Sequence, residues 1–253
     1  MIQRKELLAY LHNYLKVNDF KDYCPNGLQV EGRAEIKHIV AGVTASQSLI
    51  DKAIEQQADA ILVHHGYFWK GEEAAIVGIK QKRIKALLQA DINLLAYHLP
   101  LDAHTEVGNN VQLGQLLELA DVSSQNLNGV DDILWQGALK QSLSASELAQ
   151  LLNNKLGREA LWLPSLNNQP IKTLAWCSGG AQSYIEHAAA LGVDAFISGE
   201  VSEQTTHQAK ELDIHYFAAG HHATERYGVQ ALAAHLAEKF GISYQFIDID
   251  NPV

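Results

Sequence analysis

The sequence predicts an α/β protein made of two similar α/β domains that arose by internal duplication. Three observations carry this. Short apolar runs alternate with amphipathic stretches, the second half repeats the order of the first, and polar clusters rich in His, Asp and Glu stand directly after the apolar runs. Such alternation indicates mainly parallel sheets, and in open α/β sheets ligands bind beyond the carboxyl ends of the strands.

Taken in order, residues 2–16 place Ile2, Leu7, Leu8, Leu11 and Leu15 close to helical spacing. Tyr23-Cys24-Pro25-Asn26-Gly27-Leu28 reads as an ordered loop, because Pro fixes its own φ and Asn-Gly tolerates positive φ. Ile36 to Val43 is a β-rich run ending at Thr44-Ala45-Ser46, and Ser48 to Gln57 has a helical pattern. Ala58 to Val63 is a short, almost wholly apolar strand that runs straight into His64-His65-Gly66. Lys80 to Ala90 makes a helix, Asn93 to Tyr97 a strand, and Asn109 to Leu119 a further helix. Asp121 to Asp132 is polar and aperiodic, and it is the expected boundary between domains spanning 1–125 and 126–253.

The repeat shows as two matches in the same order. Ser46-Gln47-Ser48-Leu49-Ile50 falls on Ala181-Gln182-Ser183-Tyr184-Ile185, and Ala58-Asp59-Ala60-Ile61-Leu62-Val63 falls on Val193-Asp194-Ala195-Phe196-Ile197-Ser198, both without a gap. Further on, Asp91 to Ala96 lines up with Asp213 to Ala218 after a shorter connection. The order implies a duplicated βαβ-type unit.

A chain of 253 residues buries a real core. With 29 acidic and 19 basic residues its net charge is −10, and the cations are scattered, so a primary nucleic-acid role is disfavoured. The start Met1-Ile2-Gln3-Arg4-Lys5-Glu6 lacks a signal-peptide pattern, and no run approaches the roughly 18 to 20 apolar residues of a membrane span. The expected location is cytoplasmic. Cys24 and Cys177 stand alone in sequence and read as buried, inert thiols. Trp135, Trp162 and Trp176 read as core residues, whereas Trp69 beside Tyr67 and Phe68 lines a mouth or meets another subunit.

Histidine carries the chemistry: there are twelve, including two adjacent pairs. In His221-His222-Ala223-Thr224-Glu225, a helix would stack His221 and Glu225 on one face at i and i+4, able to grip one ion. His64 and His65 would point to opposite faces of a continuing strand, but a turn at Gly66 lets both imidazoles converge. Asp102, in His98-Leu99-Pro100-Leu101-Asp102-Ala103-His104, adds a carboxylate from the next strand end. Five N and O ligands without sulfur suit zinc, manganese, iron, cobalt or nickel, and are enough for two divalent ions sharing a carboxylate. Glu200, placed where His65 stands in the other copy, reads as a base or ligand orienter, or else as a carboxylate at a helix N-terminus. His98 reads as a proton shuttle or a partner to a ligand, or as packing under Pro100. Asp102 alone could cap the following helix. Cys177-Ser178-Gly179-Gly180-Ala181-Gln182 joins strand to helix and reads as a tight turn more readily than as a phosphate loop. His12, His38, His187, His207 and His235 read as structural or surface residues.

Val43-Thr44-Ala45-Ser46, Val63-His64-His65-Gly66-Tyr67-Phe68-Trp69-Lys70, His98-Leu99-Pro100-Leu101-Asp102, Gly199-Glu200 and Gly220-His221-His222-Ala223-Thr224-Glu225 together resemble the Nif-three-like family, also labelled GTP cyclohydrolase I type 2 homologues, and its short enterobacterial members in particular. The resemblance implies a two-domain α/β protein with a dinuclear metal site at the domain interface, His64, His65, Asp102, His221 and Glu225 as its ligands, and a toroidal homohexamer. It also implies opening of a GTP-type imidazole ring by water with release of formate. The expected function is therefore a divalent-metal-dependent hydrolase that uses metal-bound hydroxide on a small nucleotide-type substrate, with Glu200 or His98 moving protons. The alternative is a non-catalytic metal-binding interaction or regulatory protein that forms a ring.

Overall fold

The computed structural model describes all 253 residues. In chain order the elements are β1 (Ile2–Gln3), α1 (Arg4–Tyr14), β2 (Gly27–Val30), β3 (Glu35–Ile36), β4 (His38–Thr44), α2 (Gln47–Glu55), β5 (Ala60–His65), α3 (Gly78–Ala90), β6 (Asn93–Ala96), α4 (Leu99–Ala103) and α5 (Asn109–Leu116). They continue with β7 (Ala120–Leu127), β8 (Val130–Leu143), α6 (Ala145–Leu156), β9 (Leu161–Leu163), β10 (Ile171–Trp176), α7 (Ile185–Ala190), β11 (Ala195–Ser198), α8 (Glu203–Glu211), β12 (His215–Ala218), α9 (His221–Thr224), α10 (Arg226–Phe240) and β13 (Ser243–Phe246). No helix is long and apolar enough to cross a membrane.

Two compact units result: Met1–Gly108 with Gly228–Asp250, and Asn109–Tyr227 with Asn251–Val253. The expected division at 125/126 therefore differs from the observed one in two respects. Helix α5 belongs to the second unit, because Leu113 is buried in the same cluster as Trp176. Most of α10 returns to the first unit, because Val229, Leu232, Ala233 and Leu236 fill its core. The segment read as an aperiodic linker is an edge strand, β7, paired antiparallel with β8. It lacks a period-two signal because nearly every residue is exposed or half-exposed, leaving no buried face to show. The overlooked signal is Asn128-Gly129. Both residues have positive φ, 54° and 79°, and Leu127 pairs with Val130 across them, which is a two-residue hairpin turn.

The first unit holds a five-stranded sheet in the order β13-β4-β5-β6-β2, parallel except for β2. Apolar residues alternate along it: Ile39 and Leu62 pack with Leu7, Leu11, Leu232 and Leu236 on one face, while Val40, Ile61 and Val63 pack with Leu49, Ile50 and Leu87 on the other. The second unit holds six strands in the order β7-β8-β10-β11-β12-β9, with β10, β11 and β12 parallel. Leu174, Trp176, Ile197 and Phe217 pack on one face with Leu148 and Leu152, and Ala175, Phe196 and Tyr216 pack on the other with Ile185 and Ala209. Trp135 and Trp176 are core residues as expected, but Trp162 is 38% exposed because β9 is an edge strand. Cys24 and Cys177 are both buried thiols.

Both units contain the same β-α-β-α-β order, and both repeat one polar device. Asp59 Oδ2 accepts from Lys37 N at 2.7 Å and His38 N at 3.0 Å, which separates β3 from β4 and fixes where β4 starts. Asp194 Oδ2 accepts from Lys172 N and Thr173 N, each at 2.8 Å, at the start of β10. A carboxylate satisfied by two successive backbone N–H groups pins the strand register; Asp59 is buried and Asp194 is half-buried.

Candidate functional site

In the first unit the site stands at the carboxyl ends of β5 and β6. Strand β5 ends on His64 and His65, and the chain turns at Gly66, where a Cβ would lie 2.1 Å from Gln29 Oε1. Gln29 clasps the next residue, accepting from Tyr67 N at 2.6 Å and donating to Tyr67 O at 3.1 Å. That turn lets both imidazoles converge, with ring centroids 4.6 Å apart. His64 is fully buried, and its Nδ1 donates to Tyr97 O at 2.9 Å. A carbonyl only accepts, so the neutral ring carries its lone pair on Nε2, which faces Asp102 Oδ1 at 3.5 Å. A lone pair facing a buried carboxylate is favourable only with a cation or a proton between them. Asp102 sits inside α4 and is buried.

His98 precedes α4. Ligand nitrogens of His64, His65 and His98 lie within 4.8 Å of one another. Its Nδ1 donates to Asp22 Oδ1 at 2.7 Å, and Trp69 meets its ring edge-on at 5.0 Å. His98 is thus held by Asp22 and does more than pack under Pro100. Burial pushes the Asp22 carboxyl up, but hydrogen bonds from His98, Asn26 and Tyr23 outweigh it and hold that carboxyl below its ordinary value. His65 Nδ1 meets Thr44 Oγ1 at 3.2 Å.

In the second unit the site stands at the ends of β10, β11 and β12. Two glycines allow these loops to pack. A Cβ on Gly199 would lie 2.7 Å from both Gly179 O and His221 Cα, and one on Gly179 would lie 2.2 Å from Glu225 Oε1. Thr224 Oγ1 donates to Gly220 O at 2.9 Å and accepts from Gly179 N at 3.0 Å. Ser178 N is taken by Asn110 Oδ1 at 2.8 Å. The amides of Ser178 and Gly179 are therefore spent on holding the loop.

The i, i+4 pair forms as expected, with His221 Nε2 3.2 Å from Glu225 Oε2. Helix α9 ends at Thr224, and Glu225 is its C-terminal cap, 2% exposed. His221 Nδ1 donates to Glu200 Oε1 at 2.7 Å. Burial by itself would lower the pKa of His221, but Glu225 and then Glu200 outweigh it and push it up to about 9. Without a cation, a proton thus fills the space between imidazole and Glu225. Glu200 is not in the first turn of α8, which begins at Glu203 after the Ser202 cap, and its carboxylate meets His221 instead.

Each unit therefore gathers part of the expected ligand set: His64, His65 and Asp102 with His98 in the first, His221 and Glu225 with Glu200 in the second. Among these residues, His64, His65, His98, Asp102, His221 and Glu225 fall in groups that could hold a metal ion. Asp22, Asn26, Gln29 and Gly179 were not legible as site residues. Asp22 lies 76 residues from its partner His98, and no motif links them.

A protein of Pseudomonas aeruginosa named GTP cyclohydrolase 1 type 2 homolog is 54% identical over 246 residues, 97% of each chain. A protein of the same name from Yersinia pestis is 53% identical over 247 residues, 98% of each chain. A solved structure described as protein ybgI, of unknown function, superposes with a TM-score of 0.95 at 48% identity over the full length of both chains. The Duf34/NIF3 (NGG1p interacting factor 3) family model matches residues 2–252, and the chain belongs to that family.

Proposed function

We propose that the chain is a divalent-metal-dependent hydrolase with a dinuclear centre, completed by His64, His65 and Asp102 of the first unit and His221 and Glu225 of the second. The observation that carries this reading is shared by both units. His64 and His221 are each anchored through Nδ1, on Tyr97 O and on Glu200, and each turns Nε2 toward a buried carboxylate. That is the arrangement by which a protein fixes the tautomer and orientation of a ligating histidine. The donor set is nitrogen and oxygen only, which fits zinc, manganese, iron, cobalt or nickel.

Such ions, when bound, polarise a substrate and lower the pKa of water. The chain's own residues do the rest. Glu200, hydrogen-bonded to His221, and His98, hydrogen-bonded to Asp22, are the groups placed to accept and return protons. Trp69, against His98, restricts the approach on the first unit's side. The names of the relatives favour a nucleotide substrate whose imidazole ring is opened by water with release of formate. The same reading takes the two units to be products of an internal duplication, which Asp59 and Asp194 at matching positions support, and the assembly to be a toroidal homohexamer in the cytoplasm.

The test is formate release and ring opening on a panel of purine nucleotides, by protein reloaded with manganese, zinc or iron. The expected result is turnover that His65→Ala abolishes. Absence of turnover by metal-loaded protein on nucleotides and phosphoesters alike would leave the non-catalytic metal-binding reading in its place.

A further inference from the structure

The loop before β2 holds a carboxylate that neither the ligand set nor the proton-transfer residues include. The Asp22 side chain is 2% exposed. Its Oδ1 accepts from His98 Nδ1 at 2.7 Å and Tyr23 N at 2.6 Å, and its Oδ2 accepts from Asn26 Nδ2 at 2.8 Å and Leu99 N at 2.9 Å. Asn26 is locked in turn, because its Oδ1 accepts from His98 N at 2.7 Å. Four donors thus converge on one buried acceptor, and an acceptor-only carboxylate fixes a proton of His98 on Nδ1, which in the neutral ring puts the lone pair on Nε2.

We propose that Asp22 is the positioning residue of this site, setting the tautomer of His98 and the start of the short helix α4 that carries Asp102. The helix has five residues and no other side-chain cap, and its first N–H, that of Leu99, ends on Asp22 Oδ2. One carboxylate thereby orients the nitrogen that exchanges protons and the segment that bears a ligand. The consequence for metal binding rests on the function proposed above; the tautomer does not.

Asp22→Asn separates the possibilities by hydrogen-bond arithmetic. An amide must place its NH2 at one of the two oxygen positions. At the Oδ2 position it would oppose Leu99 N–H and an Asn26 amide that cannot turn without losing His98 N. At the Oδ1 position it opposes only the exposed Tyr23 N–H, provided that His98 gives up the proton on Nδ1. The variant should therefore flip His98 to the Nε2–H tautomer.

The experiment is long-range 1H–15N correlation of the histidine side chains of the full-length, metal-free protein, with His98→Gln to identify the His98 signals. The expected result is Nδ1–H in the wild type and Nε2–H in Asp22→Asn, with zinc affinity of the variant lowered about 10- to 100-fold. Nε2–H in the wild type would overturn the inference even if the variant does not fold, as would an unchanged tautomer in folded Asp22→Asn. Failure of the wild type to bind zinc would overturn the proposed function and leave the tautomer to decide this inference alone.

Discussion

Gly179→Ala isolates the role of the strand-end packing in the second unit. The position has φ +65°, and the left-handed region costs a residue with a Cβ roughly 1–2 kcal/mol. The added methyl would lie 2.2 Å from Glu225 Oε1 and 3.2 Å from His221 Nε2. Ordinary contact begins near 3.5 Å, so the carboxylate must retreat by roughly 1 Å, and it has little room because it is buried. A displacement of that size at a ligand should lower metal affinity about 10- to 100-fold, the range seen when partners of ligands are altered. The control is Gly192→Ala, where φ is +73° and nothing lies within 4 Å of the new methyl. Both variants should lose the backbone cost of the left-handed conformation in urea unfolding, Gly179→Ala more because of its clash, and only Gly179→Ala should lose affinity for zinc in competition with a chelating dye. Equal affinities in the two folded variants would refute the reasoning.

Two further outcomes follow from the same structure. Asp194→Ala, which removes the acceptor of Lys172 N and Thr173 N, should destabilise the second unit by roughly 0.5–1.5 kcal/mol in denaturant unfolding; a loss within experimental error would show that the carboxylate does not pin β10. Burial, with a smaller push from Asp22, raises the Cys24 thiol to about 12, so at pH 8 its thiolate fraction is about 1000-fold below that of an ordinary thiol. The folded chain should resist alkylation there until unfolded. The sign follows: the raised thiol contributes stability below its ordinary value near 9, and that contribution is lost as pH rises toward 12. Rapid alkylation of Cys24 at pH 8 in native protein would contradict this.

What could be read from the sequence was local. The strands after Ala58 and Asn93 and the His221/Glu225 pair were legible because burial on both sheet faces makes apolar runs and helical spacing puts i and i+4 together. The β7–β8 hairpin was missed because its strands bury little, although Asn128-Gly129 announced the turn. The return of α10 to the first core was also hidden, since an apolar helical face does not say which sheet it will cover. The site followed the same rule. His64, His65 and Asp102 were legible at strand ends, whereas Asp22 acquires its meaning only from a fold that brings it to His98.

Metal stoichiometry is the direct measurement of the proposed dinuclear centre. The measurement is divalent ions bound per chain after equilibrium dialysis, by elemental analysis, for wild type, His64→Ala and Glu225→Ala. The expected result is two ions in the wild type and a loss with either substitution. A wild type that retains no metal, or a Glu225→Ala protein that keeps the full complement, would contradict it.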